Sequence, residues 1–99
     1  QHKGEKIEDE ALLKQGQLLE ELKDYTAAEF NYLKITEFYA SDILADDAHF
    51  ALGELYRTVL NQPEKAMIHY EKIVFDYEDS YFSPQARKYY RTLRGDAIN

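Results

Sequence analysis

Residues 46–56 read DDAHFALGELY, an amphipathic helical stretch with a glycine in its middle. An interior glycine costs a helix about 1 kcal/mol relative to alanine. Nothing around Gly53 has the composition of a turn, so the glycine needs a packing reason. An earlier stretch carries the same feature. DEALLKQGQLL (9–19) aligns with DDAHFALGELY at an offset of 37, and the acidic pair, the alanine, the glycine and the final apolar pair coincide. Further on, AEFNYLKITEFYASD (28–42) aligns with AMIHYEKIVFDYEDS (66–80) at an offset of 38. There Ala28 meets Ala66, Tyr32 meets Tyr70, Lys34-Ile35 meets Lys72-Ile73, and Tyr39 meets Tyr77. Two blocks agreeing at nearly one offset make an internal repeat.

Each repeat reads as a pair of helices, the first pair over about 7–22 and 25–39, the second over about 44–59 and 63–76. Lys23-Asp24-Tyr25 forms the short joint in one pair. In the other, Asn61 suits the left-handed residue that ends a helix, and Pro63 suits a first helical position, where its missing N–H costs nothing. Small residues let helices approach closely, so Gly16 is expected to face Ala28, and Gly53 to face Ala66. A fifth helix is expected from Ser83, an N-cap, and Pro84. It carries Ala86, Tyr89, Tyr90 and Leu93 on one stripe, Arg87, Lys88, Arg91 and Arg94 elsewhere, and Gly95 at its end.

Helix pairs repeating with a period in the 30s mark a helical solenoid, and the chain resembles the tetratricopeptide repeat (TPR) family. Leu52, Gly53 and Tyr56 carry that family's apolar–Gly–aromatic pattern. Ala66, Tyr70 and Ile73, like Ala28, Tyr32 and Ile35, carry its second-helix pattern. Departures are Gln15 before the first glycine, Leu19 for the aromatic, Ala40 and Glu78 where the family ends a repeat with proline, and one extra residue before Asn61. The resemblance implies an all-α solenoid of two tandem TPR helix pairs and a C-terminal capping helix. It forms a single TPR-like domain over 1–99, with repeat one about 9–42, repeat two about 46–80 and the cap about 83–95. Gly16, Ala28, Tyr32, Gly53, Tyr56, Ala66 and Tyr70 are its repeat-packing positions. Two repeats and a cap lie at the lower limit for such an array. The chain therefore reads as the C-terminal part of a longer scaffold, or as one whose N-terminal face is covered by self-association. The segments from Asp42-Ile43 to Ala48 and from Ser80 to Ala86 resemble those of bacterial cell-envelope TPR proteins, which implies periplasm or cell envelope rather than cytoplasm.

Composition narrows the function classes. The chain has 99 residues, no cysteine, 44% hydrophobic residues and a net charge of −7. This excludes disulfides, thiolate chemistry and Cys-based zinc sites, and opposes nucleic acid as a partner. No run is long and apolar enough for a transmembrane segment. Residues 1–50 hold 5 Lys and Arg against 12 Asp and Glu, whereas residues 51–99 hold 7 against 7, so the acidity belongs to the front half. His49 and His69 with Asp46 and Asp47 lack metal-ligand spacing. No constellation for catalysis is present, so neither enzyme activity nor a cofactor or metal is expected.

In the family, the first helix of each pair lines a concave groove. Carried over, the groove positions are Glu10, Leu13, Gln17, Glu20 and Glu21 in repeat one, and Asp47, Phe50, Glu54, Arg57 and Thr58 in repeat two. Five acids, one base and the apolar Leu13 and Phe50 suit a basic, partly apolar peptide or protein surface. The resemblance thus implies a non-enzymatic protein–protein interaction module. The alternative is a structural spacer or homo-oligomerisation module with no groove ligand, in which Leu13 and Phe50 complete the core.

Overall fold

The computed structural model describes residues 6–39 and 44–95. They form five α-helices: α1 (Lys6–Glu21), α2 (Tyr25–Phe38), α3 (Ala45–Thr58), α4 (Pro63–Asp76) and α5 (Ser83–Arg94). The class is the all-α helical repeat that the two aligned blocks imply. Ala40, Asp42 and Ile43, named above for the repeat end and the inter-repeat segment, lie outside the described residues. The chain divides within α3, after Ala48, into two units.

In the first unit α1 packs on α2. Lys23 takes a left-handed conformation at φ 64°, and its N–H donates to the Glu20 carbonyl at 2.9 Å to close α1. Asp24 then caps α2, its Oδ1 accepting from the Ala27 N–H at 3.4 Å. Ala28, Tyr32 and Ile35 lie one turn apart on α2 and are fully buried. That i, i+4, i+7 spacing is the core-facing stripe of an amphipathic helix.

The second unit repeats this plan. Asn61 is left-handed at φ 54°, and Pro63 opens α4. Ala66, Tyr70 and Ile73 are buried like their counterparts on α2. The fifth helix packs on α4 with Ala86 buried and Tyr89, Tyr90 and Leu93 half-buried, while Arg87, Lys88, Arg91 and Arg94 are exposed. Gly95 ends it at φ 87°, its N–H directed at the Arg91 and Thr92 carbonyls. Ser83 differs from expectation. It lies inside the helix, buried, with Phe82 at the N-cap, because Ser80 already turns the chain. The Ser80 Oγ accepts from the Phe82 N–H at 3.0 Å, and the Ser80 carbonyl accepts from the Ser83 N–H at 3.0 Å.

The glycine contact also differs. A Cβ built on Gly16 would lie 2.6 Å from Cε1 of Tyr32, and one on Gly53 would lie 2.6 Å from Cε1 of Tyr70. The nearest atoms belong to the tyrosine rings, not to Ala28 or Ala66. Each glycine vacates the volume that a large flat ring fills. Ala28 and Ala66, also fully buried, lie one turn before those rings.

Candidate first-helix binding surface

Positions 10, 13, 17, 20 and 21 recur along α1 at spacings of three and four, and so lie on one stripe of the helix. Glu10, Gln17 and Glu21 are exposed and Glu20 is half-buried. Lys14, also exposed, borders the same stripe. Leu13 is only 9% exposed, so its side chain belongs to the core and not to an open surface. Large exposed apolar residues here are instead Leu18 on α1, at 53%, and Leu22 just past its end, at 67%. Leu18 lies one turn from both Glu21 and Leu22. The sequence gives no sign of this exposure at Leu18, because its repeat-equivalent Leu55 reads as ordinary core, which it is.

The Glu20 carboxylate is already engaged. The Tyr32 hydroxyl donates to its Oε2 at 2.6 Å. Burial, with Glu20 beside it, holds that phenol protonated well above the ordinary tyrosine range. A second side-chain bond ties the two helices together, Asn31 Nδ2 donating to Gln15 Oε1 at 2.9 Å.

On α3 the corresponding positions are 47, 50, 54, 57 and 58. Asp47 is half-buried, and burial, with Asp46 adjacent, pushes its carboxyl up to about 6. In the second unit Glu54 and Arg57 pair at 2.7 Å. The Arg57 Nε donates to the Tyr70 hydroxyl at 3.0 Å, and that hydroxyl donates to Glu54 Oε2 at 3.2 Å. Here too burial holds the phenol protonated. The Arg57 guanidinium lies 3.8 Å above the centre of the Tyr89 ring. The Thr58 hydroxyl donates to the Glu54 carbonyl at 2.7 Å. Phe50 is half-buried, stacked on Phe82 with ring centres 4.5 Å apart and edge-on to Tyr70 at 5.9 Å. It serves packing between α3 and the start of α5.

The two units therefore differ in what their first helices present. That of α1 is net acidic, with Leu18 and Leu22 beside it. That of α3, within the second unit, holds one acid and one base bound to each other over an aromatic floor. Among the described residues, no group of three or more His, Cys, Asp or Glu side chains is arranged to hold a metal ion, and no helix is long and apolar enough to cross a membrane.

Comparison with known families matches two stretches, residues 10–41 and 47–80, to the tetratricopeptide repeat. Searches of curated proteins and of solved structures returned no match. The two matched stretches fall on the helix pairs α1–α2 and α3–α4. The chain belongs to the tetratricopeptide repeat family.

Proposed function

We propose that the chain is a non-enzymatic scaffold module that binds a basic, partly apolar segment of a protein partner, with the exposed stripe of α1 as its principal contact. The coarser statement follows from the family: TPR repeats are protein–protein interaction modules. The observation that carries the finer one is the exposure of Glu10, Gln17 and Glu21 on one stripe, with Leu18 and Leu22 exposed alongside. Carboxylates grouped on one helix face attract cations from solution and raise the association rate. Exposed leucines supply the apolar contact that usually dominates affinity. In the second unit, Glu54 and Arg57 neutralise each other, so the stripe of α3 adds shape more than charge.

A chemical-shift titration of the full chain with a Lys/Arg-rich peptide bearing one leucine or phenylalanine tests this reading. Shifts centred on residues 10–22, lost in Glu10→Lys/Glu21→Lys and weakened by salt, are expected. Both glutamates are exposed, so their reversal leaves the fold intact. Glu20 and Glu54 are unsuitable for reversal because each carries a hydrogen bond from a buried tyrosine. Shifts confined to α5, or affinity unchanged by the reversals, would reject the reading. Leu18 and Leu22 also favour the spacer alternative, in which they meet a second copy. A mass that rises with concentration and falls in Leu18→Glu/Leu22→Glu, with no peptide response, would establish that alternative.

A further inference from the structure

Ala11, Gln15, Leu18 and Leu22 follow one another along α1 and just past its end at spacings of four, three and four. All four are exposed, the two leucines by more than half. Alternating spacings of three and four make the seam along which one helix meets another over its length. The seam lies on the side of α1 turned away from Leu13 and Gly16, which are buried in the first unit. The offset of 37 carries Ala11, Gln15 and Leu18 to Ala48, Leu52 and Leu55, all of them buried. The same stripe is thus core in one repeat and surface in the other.

We propose that this seam pairs with the same seam of a second copy of the chain, the two α1 helices running antiparallel about a twofold axis.

The seam is complementary to itself in that direction. Antiparallel pairing sets Ala11 opposite the second copy's Leu22 and Gln15 opposite its Leu18. Every layer then joins a leucine to a smaller or polar residue, and no two leucines compete for one space. Across such an axis each flank of the seam meets the same flank of the other helix. One flank holds Leu12 and Leu19, both half-buried, so Leu12 meets the second copy's Leu19 and widens the apolar contact. The other flank holds Lys14 and Glu21, both exposed. Each ammonium there meets a carboxylate of the other chain, and symmetry makes the pair twice. Parallel pairing would bring unlike flanks together and turn Lys14 toward the second copy's Leu19, with no carboxylate to meet it. Charge therefore selects the antiparallel arrangement.

Gln15 is the polar member of the seam. Its Oε1 already accepts from Asn31 at 2.9 Å, which satisfies that oxygen when the layer closes over it. One helix face buries less than a standard interface, so the pair is weak and reversible. It covers Leu18, Leu22 and Glu21, the surface assigned above to a basic partner. Partner and second copy therefore exclude each other. That exclusion rests on the partner reading, whereas the pairing itself does not.

Sedimentation velocity of the full chain across the micromolar to millimolar range tests the pairing. The mass should rise from one chain to two and stop there, because a twofold contact closes on itself. Lys14→Glu and Glu21→Lys each set like charges together at two places, and each should raise the dissociation constant about tenfold. The double variant Lys14→Glu/Glu21→Lys restores both pairs with their signs exchanged and should recover the wild-type constant. Both positions are exposed, so the variants keep the fold, which circular dichroism checks. A chain that stays monomeric, a mass that climbs past two, or a double variant as weak as the singles would overturn the proposal. A Lys/Arg-rich peptide bearing one leucine, added to the dimer, should dissolve it. A dimer that ignores the peptide keeps the pairing and rejects the partner reading. Peptide bound to a chain that never pairs keeps the partner reading and overturns the pairing, and peptide bound to an intact dimer would show that the pair forms elsewhere than on this seam.

Discussion

Gly53→Ala is the most direct test of how the repeats pack. The added Cβ would lie 2.6 Å from Cε1, 2.8 Å from Cζ and 2.9 Å from Cδ1 of Tyr70. The ring has little room to retreat. It is fully buried, its hydroxyl is held by Arg57 at 3.0 Å and Glu54 at 3.2 Å, and Tyr89 lies against it with ring centres 5.4 Å apart. Overpacking a tight core costs about 1–3 kcal/mol. Replacing an interior helical glycine by alanine returns about 1 kcal/mol. With three ring atoms inside contact distance the cost falls in the upper part of its range, leaving a net loss of about 1–2 kcal/mol. For a chain of this length that lowers Tm by roughly 5–15 °C. Denaturant titration followed by far-UV circular dichroism measures the loss. The double variant Gly53→Ala/Tyr70→Leu removes the ring atoms that clash, so its cost should fall below the sum of the single costs by about 0.5 kcal/mol or more. A Gly53→Ala chain as stable as the wild type, or single costs that simply add, would refute the ring-cradle account.

Three further outcomes are expected. The Asp47 carboxyl is held near 6 in the folded chain, above the ordinary carboxylate range, so the folded state keeps a proton that the unfolded chain releases. Stability then declines as pH rises through that window. Asp47 is only half-buried, so solvent screening reduces the effect. Asp47→Asn should stabilise the fold by about 1–2 kcal/mol at pH 7 and leave it unchanged below pH 4, as read by denaturation at the two pH values. Ala66→Leu adds bulk at a fully buried position on α4 and should destabilise by about 1–3 kcal/mol, visible as a lower Tm. Removing residues 83–99 uncovers Tyr70 and leaves the Arg57 guanidinium without its ring, because both lose Tyr89. Aggregation or a broadened unfolding transition should result, detected by light scattering and circular dichroism.

The helices and their ends were legible because each rests on a local signal. Asn61 and Gly95 adopt left-handed conformations where their residue types invite them, and Pro63 begins a helix where its missing N–H is harmless. Lys23 carried no such signal, since a lysine is an ordinary helix former and reaches φ 64° only because Asp24 starts the next helix at once. The repeat was legible because Gly53 made no local sense. Its partner was not, because a backbone approaching an alanine and a backbone making room for a tyrosine ring leave the same small residue in the sequence. The surface was least legible. A carboxylate in the alignment looks equally free whether it meets water, as Glu21 does, or a buried phenol, as Glu20 does at 2.6 Å. Leu13 and Leu18 read alike as leucines of one helix, yet one is 9% exposed and the other 53%.

Tyr32 and Tyr70 occupy one position in the two repeats, but the residues meeting their hydroxyls have traded places. Glu20 and Arg57 are equivalent at the offset of 37, as are Gln17 and Glu54. The first unit receives its phenol with a carboxylate at the later position. The second receives it with a guanidinium there and a carboxylate one turn earlier. The phenol accepts either arrangement because its oxygen both donates and accepts. Each ring thus acts as a socket with interchangeable plugs. Lineages, or designers, can rewrite the sign of a first-helix face by exchanging two residues at the rim while every atom of the interior keeps its place.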